Sequence, residues 1–256
     1  MGIEYDGSDF CGWQRQRAGR TVQGCLEAAV ASVADHELSV VCAGRTDTGV
    51  HATSQVIHFD TGAPRKPRSW ILGSNANLPA DIRVQWAQPV DETFHARFEA
   101  RRRHYRYVIL NRDYGSAVLR NRVCLEYADL DVCRMREAAA HLVGEHDFTS
   151  FRAVACQAKS PVRTVYQLDI TRQGQFIYLD ISANAFLHHM VRCIAGVLLN
   201  IGRGDQLPDW AREILRAKDR TQGGVTAPAG GLYLVAVKYP GRYAVPDRGW
   251  LPDYGS

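Results

Sequence analysis

Lysine is scarce in this chain of 256 residues: of 31 basic residues, four are Lys and 27 are Arg. Long apolar runs are missing too. The longest, around Ile194 to Ile201, falls well short of the roughly 20 residues a membrane-crossing helix needs, which excludes an integral membrane protein of that kind. The opening Met-Gly-Ile-Glu-Tyr-Asp-Gly has neither the basic region nor the apolar core of a secretory signal. Seven scattered cysteines (Cys11, Cys25, Cys42, Cys124, Cys133, Cys156, Cys193) include no C-x-x-C pair and no zinc-finger spacing to a His. A disulfide framework and a structural zinc are therefore not expected; free thiols in a reducing cytoplasm are. No segment is of low complexity. With 46% hydrophobic and 23% charged residues, the chain is ordinary for a folded protein, and its length suits one large domain or two small ones.

Net charge is +4, but its distribution says more than its size. Between Arg97 and Arg122 eight Arg face two acids, Glu99 and Asp113, a local excess of six. Guanidinium forks suit phosphate better than ammonium does, and a localised basic stripe is the footprint of a nucleic-acid face. A solvated charged strand is the competing reading.

Periodicity divides the chain into two similar halves, each mixing strands with a helix. The first has a short strand near Gly2 to Tyr5. A helix capped by Thr21 follows, with Val22, Leu26, Val30 and Val33 at helical spacing. Strands come next at Leu38 to Ala43, Gln55 to Phe59 and Ile82 to Trp86. The second half opens on a long alternating strand, His104 to Leu110, with Tyr105, Tyr107 and Ile109 on one face. Helices are predicted over about Val132 to Val143, His188 to Asn200 and Asp209 to Ala217. Strands are predicted at Val162 to Thr171, Phe176 to Ala183 and Leu232 to Tyr239. This pattern predicts an α+β fold rather than a doubly wound sheet. The boundaries are 1–98 for the half with the Asp loop, 99–240 for the second half, and a loosely held Pro- and Gly-rich tail, 241–256.

The most informative stretch is Ala43-Gly-Arg-Thr-Asp-Thr-Gly-Val-His-Ala52. It follows a strand, carries Gly44 and Gly49 for tight turns, and sets Asp47 between two threonines. Asp47 could simply form the turn. Asp-Thr-Gly is also the core of an aspartic protease, where apolar residues precede the Asp and paired carboxylates share a proton; here Arg45 and Thr46 precede it. A phosphatase-like D-x-D loop lacks its second Asp.

The whole decapeptide resembles the signature G-R-T-D-x-G-V-H of the tRNA pseudouridine synthase A family. Further matching segments run in order along nearly the full length. They are Gly2-Ile-Glu-Tyr-Asp-Gly, Gly12-Trp-Gln-Arg-Gln, Phe94-His-Ala-Arg-Phe, Tyr105-Arg-Tyr and Asp147-Phe-Thr-Ser-Phe151. Asn184-Ala-Phe-Leu-His-His-Met-Val-Arg192, Ala217-Lys-Asp-Arg220 and Gly231-Leu-Tyr-Leu-Val-Ala236 complete the series. One departure is visible: family members have several residues ahead of the first element, so the first strand is expected to be clipped.

The resemblance implies antiparallel sheets from both halves joined into one continuous sheet, helices on one side and an active-site cleft between the halves. It also implies a cytoplasmic homodimer that converts uridine to pseudouridine at positions 38, 39 and 40 of the tRNA anticodon stem-loop, without metal or organic cofactor. Asp47 falls on the catalytic aspartate. Attack on the ribose, attack on the base and removal of a ribose proton all remain open for it. Its carboxylate must stay charged beside an apolar base, which calls for a fixed cation. Arg192 matches that position, although a lone Arg on an apolar helix more often snorkels to the surface. Tyr105 corresponds to the active-site tyrosine, placed to stack on the flipped uracil or to handle the C5 proton; packing within the sheet suits Tyr107 better. Leu232 closes the uracil pocket or joins the core. Arg45 is expected to enter the space the target base vacates. Phe186, His188 and His189 are candidates for the pocket lining. Arg15, Arg17, Arg20, Arg101, Arg102, Arg103 and Arg106 are the candidate phosphate contacts.

Two rival readings differ in class. A catalytically inactive tRNA-binding protein would not need Asp47, Tyr105 and Arg192 intact. A hydrolase using the Asp-Thr-Gly turn does not account for the full-length match.

Overall fold

A computed structural model describes residues 1–255. In chain order its regular elements begin β1 (Gly2–Tyr5), α1 (Val22–Ala34), β2 (Val41–Cys42), β3 (His51–His58), α2 (Pro67–Asn77) and β4 (Ile82–Trp86). They continue β5 (Arg102–Asn111), β6 (Cys124–Glu126), α3 (Val132–Ala140), β7 (Gly144–Asp147), β8 (Val162–Gln173) and β9 (Phe176–Ala183). Last come α4 (Met190–Gly202), α5 (Trp210–Ala217) and β10 (Leu232–Lys238). The fold is α+β, with mostly antiparallel strand pairing, as the sequence pattern predicts. No helix among the described residues is long and apolar enough to cross a membrane. No disulfide joins any of the seven cysteines among them.

Chain contacts define two units. The first comprises Met1–Arg101 and Tyr233–Leu251. Its strands run in the order β4-β1-β3-β10, with β2 also on β3; β1 is antiparallel to both neighbours, and β10 is parallel to β3. Helix α1 starts where the Thr21 hydroxyl accepts the Gly24 N–H at 3.3 Å. It buries Val22, Leu26, Ala29 and Val30 and stops at Asp35, whose φ of 62° is left-handed. Helix α2 was not visible as a pattern: only Trp70 and Ser74 are buried in it. Its start is marked by Pro67 in the first turn, where a missing N–H costs nothing. The strand predicted over Leu38 to Ala43 shrinks to Val41–Cys42, because the Val40 N–H donates instead to the buried Glu27 carboxylate at 3.2 Å.

The second unit comprises Arg102–Leu232 and Pro252–Ser256. Strands β5-β9-β8-β7 are antiparallel in sequence of pairing, and β6 adds to β5 in parallel. Strand β7, Gly-Glu-His-Asp, has too little apolar content to be predicted. Helix α4 is buried almost all round, the mark of a core helix. It begins at Met190 rather than near His188, because His189 adopts a left-handed φ of 64°, which helical backbone does not tolerate.

The tail after Pro240 is tied down, contrary to the expectation from its composition. In the first unit Tyr243 is buried, the Thr53 hydroxyl donates to the Trp250 carbonyl at 2.7 Å, and the Trp250 indole donates to Glu4 at 3.1 Å. In the second, Arg106 donates to the Pro252 carbonyl, and the Tyr178 hydroxyl donates to Asp253 while accepting the Tyr254 N–H. Pro and Gly mark irregular backbone, but side chains from the strands supply its hydrogen bonds.

Arg106 and Asp180 stand opposite each other on β5 and β9 and form a two-pronged ion pair at 2.7 and 2.8 Å, with His104 3.4 Å from the same carboxylate. Burial pushes the Asp180 carboxyl up, but hydrogen bonds from His104 and Arg106 outweigh it and hold it below the usual carboxylate range. A depressed folded-state value means that the stabilisation is full above the unfolded value of about 4 and is lost as pH falls through the folded one. Asp180→Asn should therefore lower the unfolding free energy by about 3 kcal/mol near neutrality. The gap to the parent protein should narrow in urea melts run at pH 3.

Candidate active site

The loop from Ala43 to Val50 joins β2 to β3 in the first unit, and its shape is imposed by its neighbours. Gln55, fully buried in the middle of β3, donates through Nε2 to the Gly44 carbonyl at 2.6 Å and accepts the Gly44 N–H at 3.4 Å. The buried Thr46 shares a 2.7 Å hydrogen bond with the Tyr5 hydroxyl. Its carbonyl accepts the Trp13 N–H at 2.9 Å. Gly12, at φ +83°, lets the Trp13 segment come this close; a Cβ there would lie 2.9 Å from the Thr46 carbonyl oxygen. A four-residue turn then closes from the Asp47 carbonyl to the Val50 N–H at 3.1 Å, with Gly49 at φ +77°.

These contacts alternate along the chain: Thr46 faces inward, Arg45 and Thr48 are exposed, and Asp47 is partly buried. A carboxylate held on a braced turn at the surface can act as nucleophile or base without a costly rearrangement. Beyond the loop, the His51 Nδ1 accepts the Gly7 N–H at 3.0 Å, and its ring stacks on Tyr233 at 4.6 Å. Gln55 was not recognised in the sequence as part of this arrangement. The signal available was a large amide in the middle of an apolar, alternating strand.

The chain carries a second Asp-Thr-Gly, Asp60-Thr61-Gly62, which the protease reading would need. It lies exposed beyond the far end of β3. The strand's eight residues put the two turns on the order of 26 Å apart, too far for two carboxylates to share a proton. Thr61 instead hydrogen-bonds the Ala63 N–H and His36.

In the second unit Tyr105 sits on β5, 7% exposed, with its ring edge-to-face against Phe186 at 5.0 Å. Tyr107, two residues on, is fully buried and donates its hydroxyl to the Pro228 carbonyl at 2.8 Å. Burial pushes that phenol well above its ordinary range. Arg192 lies in the first turn of α4, partly buried, and its Nε donates to the Ala227 carbonyl at 2.9 Å. The Ala227 N–H returns a bond to the Arg192 carbonyl at 3.0 Å. This clasp fixes the direction of the guanidinium. Leu232 is 5% exposed at the start of β10. His188 is exposed and His189 partly buried beside it, their rings 4.1 Å apart.

The candidate phosphate-binding arginines separate by environment. Arg15, Arg17, Arg45, Arg101 and Arg102 are exposed; Arg15 lies 3.3 Å from Glu27, and Arg102 sits 4.2 Å over the Tyr166 ring. Arg20 grips Asp81 through two bonds of 2.6 and 2.8 Å and covers the Phe10 ring. Arg103 and Arg106 are buried, Arg103 donating to the Asn184 carbonyl and Arg106 held by Asp180.

The comparisons with known proteins agree along the chain. The tRNA pseudouridine synthase family profile matches residues 1–99 and 138–240. A Nitrosococcus oceani protein named tRNA pseudouridine synthase A is 58% identical over 246 residues, 96% of this chain and 95% of its own. Its namesake in Alcanivorax borkumensis is 55% identical over 258 aligned positions, 99% and 97% of the two chains. The Pseudomonas aeruginosa protein of that name is 55% identical over 255, covering 99% and 90%. Identity above half over nearly the whole chain, with a family match to residues 1–99 and 138–240, leaves one conclusion: this chain belongs to the tRNA pseudouridine synthase family.

Proposed function

We propose that this protein isomerises uridine to pseudouridine at positions 38, 39 and 40 of the tRNA anticodon stem-loop, with no metal or organic cofactor. The observation that carries the reading is the intact, braced Asp47 turn in a chain of this family. The reaction breaks the C1′–N1 bond, turns the uracil and forms C1′–C5. The C5 proton leaves and N1 gains one, so no oxidant or external group is required. Asp47 is the nucleophile or base that starts the exchange. Arg192 is the cation that keeps its carboxylate charged beside the base. Tyr105 presents its ring to the uracil, and its hydroxyl handles the C5 proton. Leu232 closes the other side of the base, and Phe186 backs Tyr105. Arg45 enters the stack the uridine leaves, which offsets part of an unstacking cost of a few kcal/mol.

A catalytically inactive RNA-binding protein is the weaker reading, because it gives no reason for bracing a carboxylate. The working assembly is a cytoplasmic homodimer that shares its RNA, closed two-fold symmetry being the default for such oligomers. Phosphate is met by exposed arginines, with Arg15, Arg17, Arg101 and Arg102 the foremost.

Asp47→Asn keeps size and turn-forming capacity while removing the charge. The variant should release essentially no tritium from uracil C5 of a labelled tRNA transcript, while its tRNA affinity changes little. Near-normal release would reduce Asp47 to a turn residue. Changing Arg101 and Arg102 together to Ala should weaken tRNA binding and flatten the slope of log affinity against log salt by roughly one to two. An unaltered slope would turn these arginines away from the RNA. Light scattering at micromolar concentration should report twice the 28.6 kDa chain mass, and a monomer that still modifies tRNA would exclude the shared-substrate assembly.

A further inference from the structure

Phe98 has the most exposed aromatic ring among the described residues, at 71%, yet it is held in place. Its face stacks on His95 at 4.2 Å and 26°. The His95 Nδ1 accepts both the Arg97 and the Phe98 N–H at 3.2 Å, and the Glu99 N–H closes onto the His95 carbonyl at 3.0 Å. His95 in turn leans on His58, 4.8 Å away, and the His58 Nδ1 accepts the Ala96 N–H at 3.2 Å. Phe94, buried between Tyr239 and Tyr243, meets His58 edge-on. The Tyr239 hydroxyl donates to the Ala96 carbonyl at 2.6 Å. A series of rings thus runs from the core of the first unit to one exposed face.

A single apolar side chain at the surface needs no explanation, but this ring has immobilised backing and a charged neighbour. The exposed Arg97 guanidinium lies 5.8 Å from its centroid. His58 pairs with Val41 at the start of β2, at the end of β3 away from the Asp47 turn. A rigid aromatic face beside arginines is how single-stranded nucleic acid is gripped: the π-face takes a base and the cation takes the adjoining phosphate.

We propose that Phe98 is a stacking platform for an unpaired nucleobase of the RNA substrate, with Arg97 meeting the adjoining phosphate. This rests on the reading that the protein acts on tRNA. At 71% exposure Phe98 stays accessible to a base, and the backing by His95 removes most of the ordering cost of binding.

The test uses the full chain and anticodon stem-loop RNAs with 2-aminopurine at each unpaired position in turn. Wild-type protein should quench one position, and Phe98→Ala should abolish that quenching. Phe98→Ala should also raise KM for C5 tritium release roughly 5- to 150-fold, the loss falling on KM rather than on the rate at saturating RNA. Phe98→Trp should restore both signals, whereas Phe98→Leu, apolar without a π-face, should restore neither. Wild-type quenching and KM in Phe98→Ala, or equal rescue by Leu and Trp, would overturn the proposal. If wild-type protein releases no tritium at all, the assigned reaction fails, and the fluorescence arm still decides the role of Phe98.

Discussion

Gln55 is the contact on which the shape of the first unit's Asp47 loop depends. Its amide takes both backbone groups of Gly44 and so fixes where the loop leaves β2. Loop backbone ordinarily satisfies its polar groups in water; here an interior amide does so, and the loop entry becomes part of the core. The Tyr5 hydroxyl and the Trp13 N–H then secure Thr46, leaving Asp47 as the next residue with nowhere to drift. Precision at a reacting carboxylate comes from such supporting contacts, since a displacement of about 1 Å can cost on the order of a hundredfold in rate.

The second unit solves the same problem with strand register. Tyr105 and Arg106 are adjacent on β5 and point to opposite faces. The Arg106–Asp180 pair locks β5 against β9, and a slip of one residue would carry Tyr105 to the wrong face. A buried ion pair is a poor source of net stability but a good device for specifying one arrangement. On α4, the reciprocal bonds between Arg192 and Ala227 do for a guanidinium what the strand pair does for a phenol ring. Just before them, His189 holds a left-handed conformation that costs about 1 kcal/mol or more, a strain that ends the loop and begins the helix at a chosen residue.

How much of this the sequence disclosed depends on whether the cause was local. Thr21 announces α1 because a cap acts over three residues, and β9 is legible from Phe176 to Ala183 because burial alternates along it. Helix α2 escaped, since two buried residues make no stripe. The tail escaped because its hydrogen bonds come from Thr53, Arg106 and Tyr178, far away in sequence. The candidate site was readable as a motif, Gly-Arg-Thr-Asp-Thr-Gly-Val-His, but not as a structure. Nothing in those residues points to Gln55 or Tyr5 as their support, nor distinguishes the turn at Asp47 from the exposed one at Asp60.

The arginines show where composition misleads. A guanidinium fork fits a carboxylate and a phosphate equally well, so the basic stripe from Arg97 to Arg122 reads as a nucleic-acid face until the partners are known. Asp180 lies 74 residues from Arg106, and Asp81 lies 61 from Arg20, separations across which no sequence pattern operates. The two kinds of engagement also differ in electrostatic consequence. Arg106 has its charge cancelled by Asp180. Arg103 spends one donor on the neutral Asn184 carbonyl. The buried Arg106 thus fixes strand register, while other arginines such as Arg101 and Arg102 face solvent. A chain with 27 Arg and four Lys can staff both tasks with one residue type, because a guanidinium tolerates burial that an ammonium resists.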